Sequence, residues 1–325
     1  MTASLTFSAD APWLAPLAGW SDLPFRLLCR ELGAAVCCTE MISAKGLVYG
    51  SPGTKEILQT SPEDSPVVAQ VFGAEAGFME EAVYRLQALG YVYFDCNMGC
   101  SVRKVMRTGA GAAMCANIDN ALQVAEALVR AAGRGKTGFK LRLGLDEKGK
   151  TAESWRILGP ALAELGAGWL TLHPRTARQG FSGMARHEAL TELKRMVSVP
   201  VIASGDLLTA ADGVRCLHET GVDTVMYARG ALHNPAIFTE HKMLLSGGDI
   251  KFPDVETIVG RIRRHVELAR RYLPSRVALL KMRTIVPRYV RGIDDSKRLR
   301  LDVISARSWE EFEASLRRFE EEKSI

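Results

Sequence analysis

Eight short runs of apolar and β-branched residues recur along the first two thirds of the chain, with helix-like stretches between them. This alternation constrains the fold more than any other feature. The runs occupy residues 13–18, 35–41, 66–72, 91–97, 138–142, 169–173, 200–204 and 224–227. Their spacing of ~20 to ~45 residues is that of a strand, a returning helix and its loops. Residues 121–132 and 155–165 carry the clearest amphipathic periodicity of the intervening segments. Eight such βα units in about 230 residues predict a closed eight-stranded parallel (β/α)8 TIM barrel. An open doubly wound sheet is the competing architecture, but no Gly-x-Gly-x-x-Gly follows the first run.

The alternation stops after Asn234-Pro235. Ser246-Gly247-Gly248 and Pro253 mark a break, and the pattern from Val255 onward is helical. We therefore expect a barrel over residues 1–245 and an all-helical domain over residues 246–325. The two parts differ in charge. Between Arg261 and Arg300 stand thirteen Lys and Arg against Glu267, Asp294 and Asp295, a net +10 in a chain whose total is +5. A basic appendage on a near-neutral body suits a polyanionic partner, and solvated helix faces are the equal alternative. The hydrophobic content of 47% and charged content of 24% exclude a disordered chain. No run reaches the ~18 apolar residues of a membrane span, and residues 1–10 lack a signal-peptide pattern. The seven Cys have no paired spacing that would make a zinc site, so the expectation is a cytoplasmic protein with reduced thiols and no metal.

Chemistry in barrels sits at the C-terminal ends of the strands. Nearly every run delivers a polar or permissive residue there: Pro16, Leu17 and Ala18, then Glu40, Gln70, Asn97 with Cys100, Lys140 with Arg142, and His173 with Arg175. Ser204, Gly205 and Asp206 follow, and then Ala228 with Arg229 and Gly230. A full ring of such residues points to an enzyme. The densest stretch is Asp95-Cys96-Asn97-Met98-Gly99-Cys100, followed by Gly109-Ala110-Gly111. It places one small thiol on a turn at a strand end, where it serves either as a nucleophile or, being mostly protonated below a pKa of ~8.5, as an acid. Lys140 points into the barrel mouth if Phe139 and Leu141 face the helices. Buried there it would pair with an anion, contact a cofactor or form a Schiff base. Gly205 and Gly230 suit a phosphate-binding position, or are plain turn glycines. Cys29, Cys115 and Cys216 read as core filler.

These residues together resemble the tRNA-dihydrouridine synthases. The resemblance runs in order from about residue 12 to 240 through Ala15-Pro16-Leu17-Ala18-Gly19, Thr39-Glu40-Met41, Gln70-Val71-Phe72-Gly73, Asp95 to Cys100, Lys140-Leu141-Arg142, His173-Pro174-Arg175-Thr176 and Ala203-Ser204-Gly205-Asp206. It implies an FMN-containing barrel that reduces a uridine of tRNA to 5,6-dihydrouridine with NADPH as reductant. Cys100 would be the acid that protonates C5 of uracil, and hydride would come from the flavin to C6. Pro16, Leu17 and Ala18 would pack on the flavin ring. Gln70, Lys140 and His173 would hydrogen-bond it. Ser204, Gly205, Asp206, Ala228 and Arg229 would hold its chain and phosphate, while Asn97, Arg142 and Arg175 would face the uridine. The basic helices would grip the tRNA. The enzyme would be monomeric, without membrane or DNA contacts. Where the family usually carries Pro after the catalytic Cys, this chain has Ser101.

The nearest rival is a flavin barrel acting on a free pyrimidine, like the dihydroorotate dehydrogenases; another RNA such as rRNA is a further alternative. An aldolase-type barrel using Lys140 and a non-catalytic RNA-binding module are weaker ones.

Overall fold

The computed structural model describes residues 3–323. Its centre is one parallel sheet of β1 (Trp13–Leu14), β2 (Val36–Cys38), β3 (Ile42–Ser43), β4 (Val67–Phe72), β5 (Tyr93–Met98), β6 (Thr137–Arg142), β7 (Trp169–His173), β8 (Val201–Ala203) and β9 (Thr224–Tyr227). β1 pairs with both β2 and β9, and β2 pairs with β4, so eight of these strands close into a barrel. The expected (β/α)8 barrel is thus present, with helices appended at its C-terminal side.

Two runs are shorter than their composition suggested. The first stops at Leu14 because Pro16, two residues on, has no N–H to give to a ladder. In the second, the Thr39 hydroxyl takes the Gln70 N–H at 3.1 Å, a donor that the neighbouring strand would otherwise pair. The chain veers off and pairs again only as β3, beside the end of β4.

Side chains alternate strictly along these strands. Phe94, Cys96, Met98, Phe139, Leu141, Leu170 and Leu172 are buried under the helices. Trp13, Val36, Val68, Trp169, Ile202 and Met226 form a separate cluster inside the barrel. Phe7 lies across the N-terminal end of that cluster, its ring centroid 5.2 Å from Trp13 and 5.9 Å from Trp169. A one-residue slip of any strand would exchange the two sets, and each large side chain turned out of place would forfeit roughly 1.5–3 kcal/mol. The surrounding helices follow the same economy. Ile118–Ala132 starts at Asn117, whose side chain accepts from the Asn120 N–H, and buries Ala121, Val124, Ala125, Leu128 and Ala132 at helical spacing.

After the helix Ile237–Leu245, residues 246–254 form neither helix nor strand. Four helices follow, Val255–Tyr272, Ser275–Tyr289, Ser296–Ser305 and Trp309–Lys323. Val255–Tyr272 packs along the barrel helix Leu23–Glu31, with the His265 ring stacked between Phe25 at 5.7 Å and Tyr289 at 6.0 Å. Tyr289 hydroxyl meets His265 Nδ1 at 2.9 Å. Arg264 pairs with Glu31 at 2.6 Å, and Lys281 pairs with Asp22. Among the described residues, no helix is long and apolar enough to cross a membrane.

Burial lowers the His265 pKa from 6.5 to about 4. The unfolded chain therefore binds more protons than the folded one between those values, and stability falls as pH drops through that window. By pH 5 the His265 contribution amounts to a loss of about 2 kcal/mol. His265→Phe should show a smaller drop in melting temperature between pH 7 and pH 5 than the parent chain; an equal drop would place the acid sensitivity elsewhere.

Candidate active site

A cavity of about 230 Å³ opens at the C-terminal ends of the strands and is lined by residues from or just beyond all eight strands of the barrel. Every residue to which the resemblance gives a role lines it except Arg175, while Glu40 and Gly230 from the strand-end ring do not.

The floor is a relay of amides. Gln70 and Asp95 are register partners on β4 and β5, and Asn97 and Lys140 are partners on β5 and β6. Asn97 Oδ1 accepts from the backbone N–H of Cys100 at 2.9 Å and of Gly99 at 3.2 Å. With its oxygen so engaged, Asn97 turns Nδ2 to Gln70 Oε1 at 2.9 Å, and Gln70 must then present Nε2 to an acceptor. That acceptor is Asp95 Oδ2 at 2.7 Å. The direction of both amides is set by a buried carboxylate at one end and the turn that carries Cys100 at the other.

Cys100 is held from its other side as well, because its carbonyl accepts the Ala112 N–H at 2.9 Å. Gly111 makes that approach possible: its φ is +63°, and a Cβ there would stand 2.6 Å from the Cys100 oxygen. Cys100 is the one cysteine that is partly exposed; the other six are buried, and burial raises their thiol pKa values.

The shelf after β1 is fixed by Ser21, whose hydroxyl accepts the Leu17 N–H at 2.9 Å, and by Glu40, which accepts from Gly19. Across the mouth stand cations. Lys140 projects inward, as Phe139 and Leu141 pack outward, and makes no hydrogen bond or ion pair among the described residues. Burial and the neighbouring Arg142 lower its pKa, while burial raises that of Asp95. His173 is pushed down to about 2 by burial and by Lys140, Arg142, Arg175 and Arg229, so its ring is neutral at physiological pH. Metal-binding groups of three or more His, Cys, Asp or Glu are absent among the described residues.

Arg175 does not face the cavity. Its N–H bonds back to the His173 carbonyl at 2.8 Å across Pro174, and its side chain, 1% exposed, runs beneath the rim to the Asp206 carboxylate at 2.5 Å and the Ser182 carbonyl at 3.1 Å. Asp206, at a φ of +54°, uses both carboxylate oxygens on Arg175, Arg229 and the Ala185 N–H. Its carboxylate organises the rim's arginines and repels a phosphate. Arg142 lines the cavity but gives Nε to Gly99 and Nη1 to Thr176 and Gly180, each at 2.9 Å. Arg142 and Arg175 thereby pin the loop of residues 179–184.

That loop carries Phe181, which the sequence reading passed over. It is 63% exposed at the mouth, with Arg229 4.6 Å and Arg142 5.8 Å from its ring centroid. Its signal was an aromatic residue between Gly180 and Gly183, downstream of His173-Pro174-Arg175-Thr176. Asp95 was quoted only as part of a motif, and its alternation with Asn97 on an inward face could have singled it out.

The relay predicts an order of stability. Asp95→Asn can still turn an oxygen toward Gln70, whereas Asp95→Leu leaves Gln70 Nε2 buried without an acceptor, at a cost of about 1–3 kcal/mol. Denaturant unfolding should rank Asp95→Leu as the less stable variant, with faster alkylation of Cys100 as its turn loosens; the reverse order would contradict the relay.

Comparison with known proteins gives a consistent result. The dihydrouridine synthase family model matches residues 13–323. The probable tRNA-dihydrouridine synthase of Aquifex aeolicus is 32% identical over 322 residues, 98% of each chain. The tRNA-dihydrouridine synthase B of Pseudomonas aeruginosa is 33% identical over 251 residues, 76% of this chain and 74% of that one. Among solved structures, morphinone reductase (TM-score 0.55, 12% identity, 78% of this chain and 94% of that one) and histamine dehydrogenase from Rhizobium sp. 4-9 (0.56, 12%, 79% and 48%) share the barrel fold.

Proposed function

This chain belongs to the dihydrouridine synthase family and is an oxidoreductase, and from that premise we propose that it reduces one uridine of a tRNA to 5,6-dihydrouridine, with FMN as cofactor and NADPH as reductant. The observation that carries the reading is a single partly exposed thiol, fixed by its backbone on both sides, at a cavity whose half-buried lysine makes no hydrogen bond or ion pair among the described residues.

The cavity fits a flavin. An unpartnered Lys140 beside a neutral His173 suits a planar ring with carbonyl and nitrogen acceptors. The orphaned Asp95 Oδ1 lies under the same floor. Pro16, Leu17 and Ala18 offer an apolar shelf. Ser204, Gly205, Ala228 and the Arg229 guanidinium would hold the phosphate, with Asp206 orienting Arg229. Gln70 would keep one amide hydrogen for the ring while serving the relay. These residues would hold FMN, which would supply the hydride chemistry, with NADPH as its reductant.

The chain's own part is orientation and one proton. Cys100 holds that proton at Sγ and gives it to C5, completing the addition of two hydrogens across the double bond. Neutral His173 is a poor proton donor, which supports the thiol in the acid role. The uridine must leave its stack to reach this cavity, and Phe181 at the rim, with Arg142 and Arg229 over it, gives it an aromatic and cationic threshold.

We assign catalysis to residues 1–245 and RNA recognition to residues 246–325. Of the thirteen cations between Arg261 and Arg300, only Arg263, Arg264, Lys281 and Arg298 form ion pairs among the described residues. Of the rest, Arg270 and Arg288 lie over Trp309 and Trp20 and Arg283 bonds the Ile304 carbonyl, yet all keep a charge that phosphates would neutralise, and such binding weakens steeply with salt. The same reading makes the protein a cytoplasmic monomer.

Cys100→Ala should keep bound flavin and tRNA affinity while dihydrouridine formation falls by about 10²–10⁴-fold; turnover near the parent rate would rule out the acid assignment. Lys140→Ala should purify with depleted flavin, read from visible absorbance, and full yellow occupancy would remove Lys140 from the cofactor site.

A further inference from the structure

A second cavity, of about 480 Å³, lies between the barrel and the C-terminal helices, and the proposed reaction leaves it without a role. One wall is the end of the short helix Arg229–His233 with Asn234 and Pro235, and Glu240 stands beside them. The other wall holds Arg261 from Val255–Tyr272, Arg288 from Ser275–Tyr289, and Arg291 just beyond. Lys251, Phe252 and Pro253, from the connection between the two parts, close it.

Four cationic side chains, Lys251, Arg261, Arg288 and Arg291, thus line the cavity with one carboxylate, and Arg288 also lies over Trp20, 4.4 Å from its ring centroid. None of the four forms an ion pair among the described residues. The carboxylate is itself engaged: Glu240 accepts from Asn234 Nδ2 at 2.7 Å, while Arg261 gives a 3.3 Å bond to Asn234 Oδ1. Two buried nitrogens here, His233 Nδ1 and Arg288 Nε, have no hydrogen-bond partner. Burial lowers the His233 pKa, and the nearby Arg288, Arg291 and Arg229 add to the effect. Cations gathered in a concavity without ion-pair partners call for an anion of several acceptor oxygens. The ligand also has an apolar face, because Phe252 is 75% exposed beside Pro253 and Ile258. Phosphate joined to a base or sugar meets both demands.

The two cavities share one helix. Arg229 lines the first and His233 the second, four residues and about 6 Å of helix rise apart. We propose that the second cavity binds the phosphate of a nucleotide covalently linked to the one that enters the first cavity, with Phe252 against its base or ribose. Such a ligand is either the dinucleotide reductant or the RNA strand beside the target uridine. Those identities rest on the function proposed above; the cavity's preference for a phosphate does not.

Lys251→Gln combined with Arg291→Gln tests this, since both side chains are exposed and the substitutions keep most of each stem. The holoenzyme variant should keep its flavin content and melting temperature. Its affinity for inorganic pyrophosphate, measured by calorimetry, should fall about tenfold. Affinity for NADPH, read from flavin bleaching, falls with it if the reductant is the occupant. Affinity for unmodified tRNA falls instead, with a salt slope shallower by ~2, if the RNA is. Phe252→Ala should weaken the same nucleotide ligand several-fold and leave pyrophosphate binding unchanged. All three affinities staying within twofold of the parent would overturn the proposal, and loss for pyrophosphate alone would overturn the link to the first cavity. A parent protein that binds pyrophosphate here but neither holds flavin nor reduces tRNA would sink the proposed function and leave the phosphate site standing.

Discussion

Closure of the parallel ladder is the constraint on which the rest of the structure depends. With β1 paired to both β2 and β9 and β2 to β4, none of the eight barrel strands has a free edge, and every second residue must point inward. Trp13, Trp169 and Phe7 fill the N-terminal half of that interior and make it a packed core. The inward positions one and two steps further along the strands cannot be packed in the same way, because they carry Asp95, Asn97, Lys140, Arg142 and His173. The barrel converts a period of two in the sequence into a ring of polar groups around one mouth.

Those groups satisfy each other only in part. The relay from Asp95 through Gln70 and Asn97 closes on the backbone of the Cys100 turn. The pair Arg175 and Asp206 closes on the Phe181 loop and on Arg229. Among the described residues Lys140 makes no hydrogen bond or ion pair, and one oxygen of Asp95 accepts no hydrogen bond. A chain that keeps an unpaired lysine this deep gives up stability that an apolar residue would supply. The residual charge makes physical sense when a bound group with acceptor atoms completes the cavity.

The barrel was legible in the sequence because strands buried on both faces read as continuous apolar runs. What was not legible were the places where a side chain competes with the ladder. Thr39 takes a backbone N–H from β4, splitting the second run and creating β3. Pro16 ends β1 early, although the residues that follow still reach the mouth. Cys100 and His173 were placed at the rim by their position at strand ends and Lys140 by strand alternation, and the function came from resemblance to a family rather than from periodicity. Arg175 shows the limit of such placement. It follows a strand end as Arg142 ends one, but a turn across Pro174 sends it beneath the rim to an aspartate that no local pattern connects to it. The second cavity was equally hidden, since its cations come from three separated segments.

The central claim is that this barrel reduces a base of tRNA through a flavin and one thiol. The most direct measurement is the mass of an unmodified tRNA after incubation with the purified protein, FMN and NADPH, followed by fragment mapping. The account predicts a gain of about two mass units on a single uridine, the signature of one hydride and one proton added. An unchanged tRNA, with a yellow protein that still oxidises NADPH, would contradict the substrate assignment; a protein that binds no flavin at all would contradict the account as a whole.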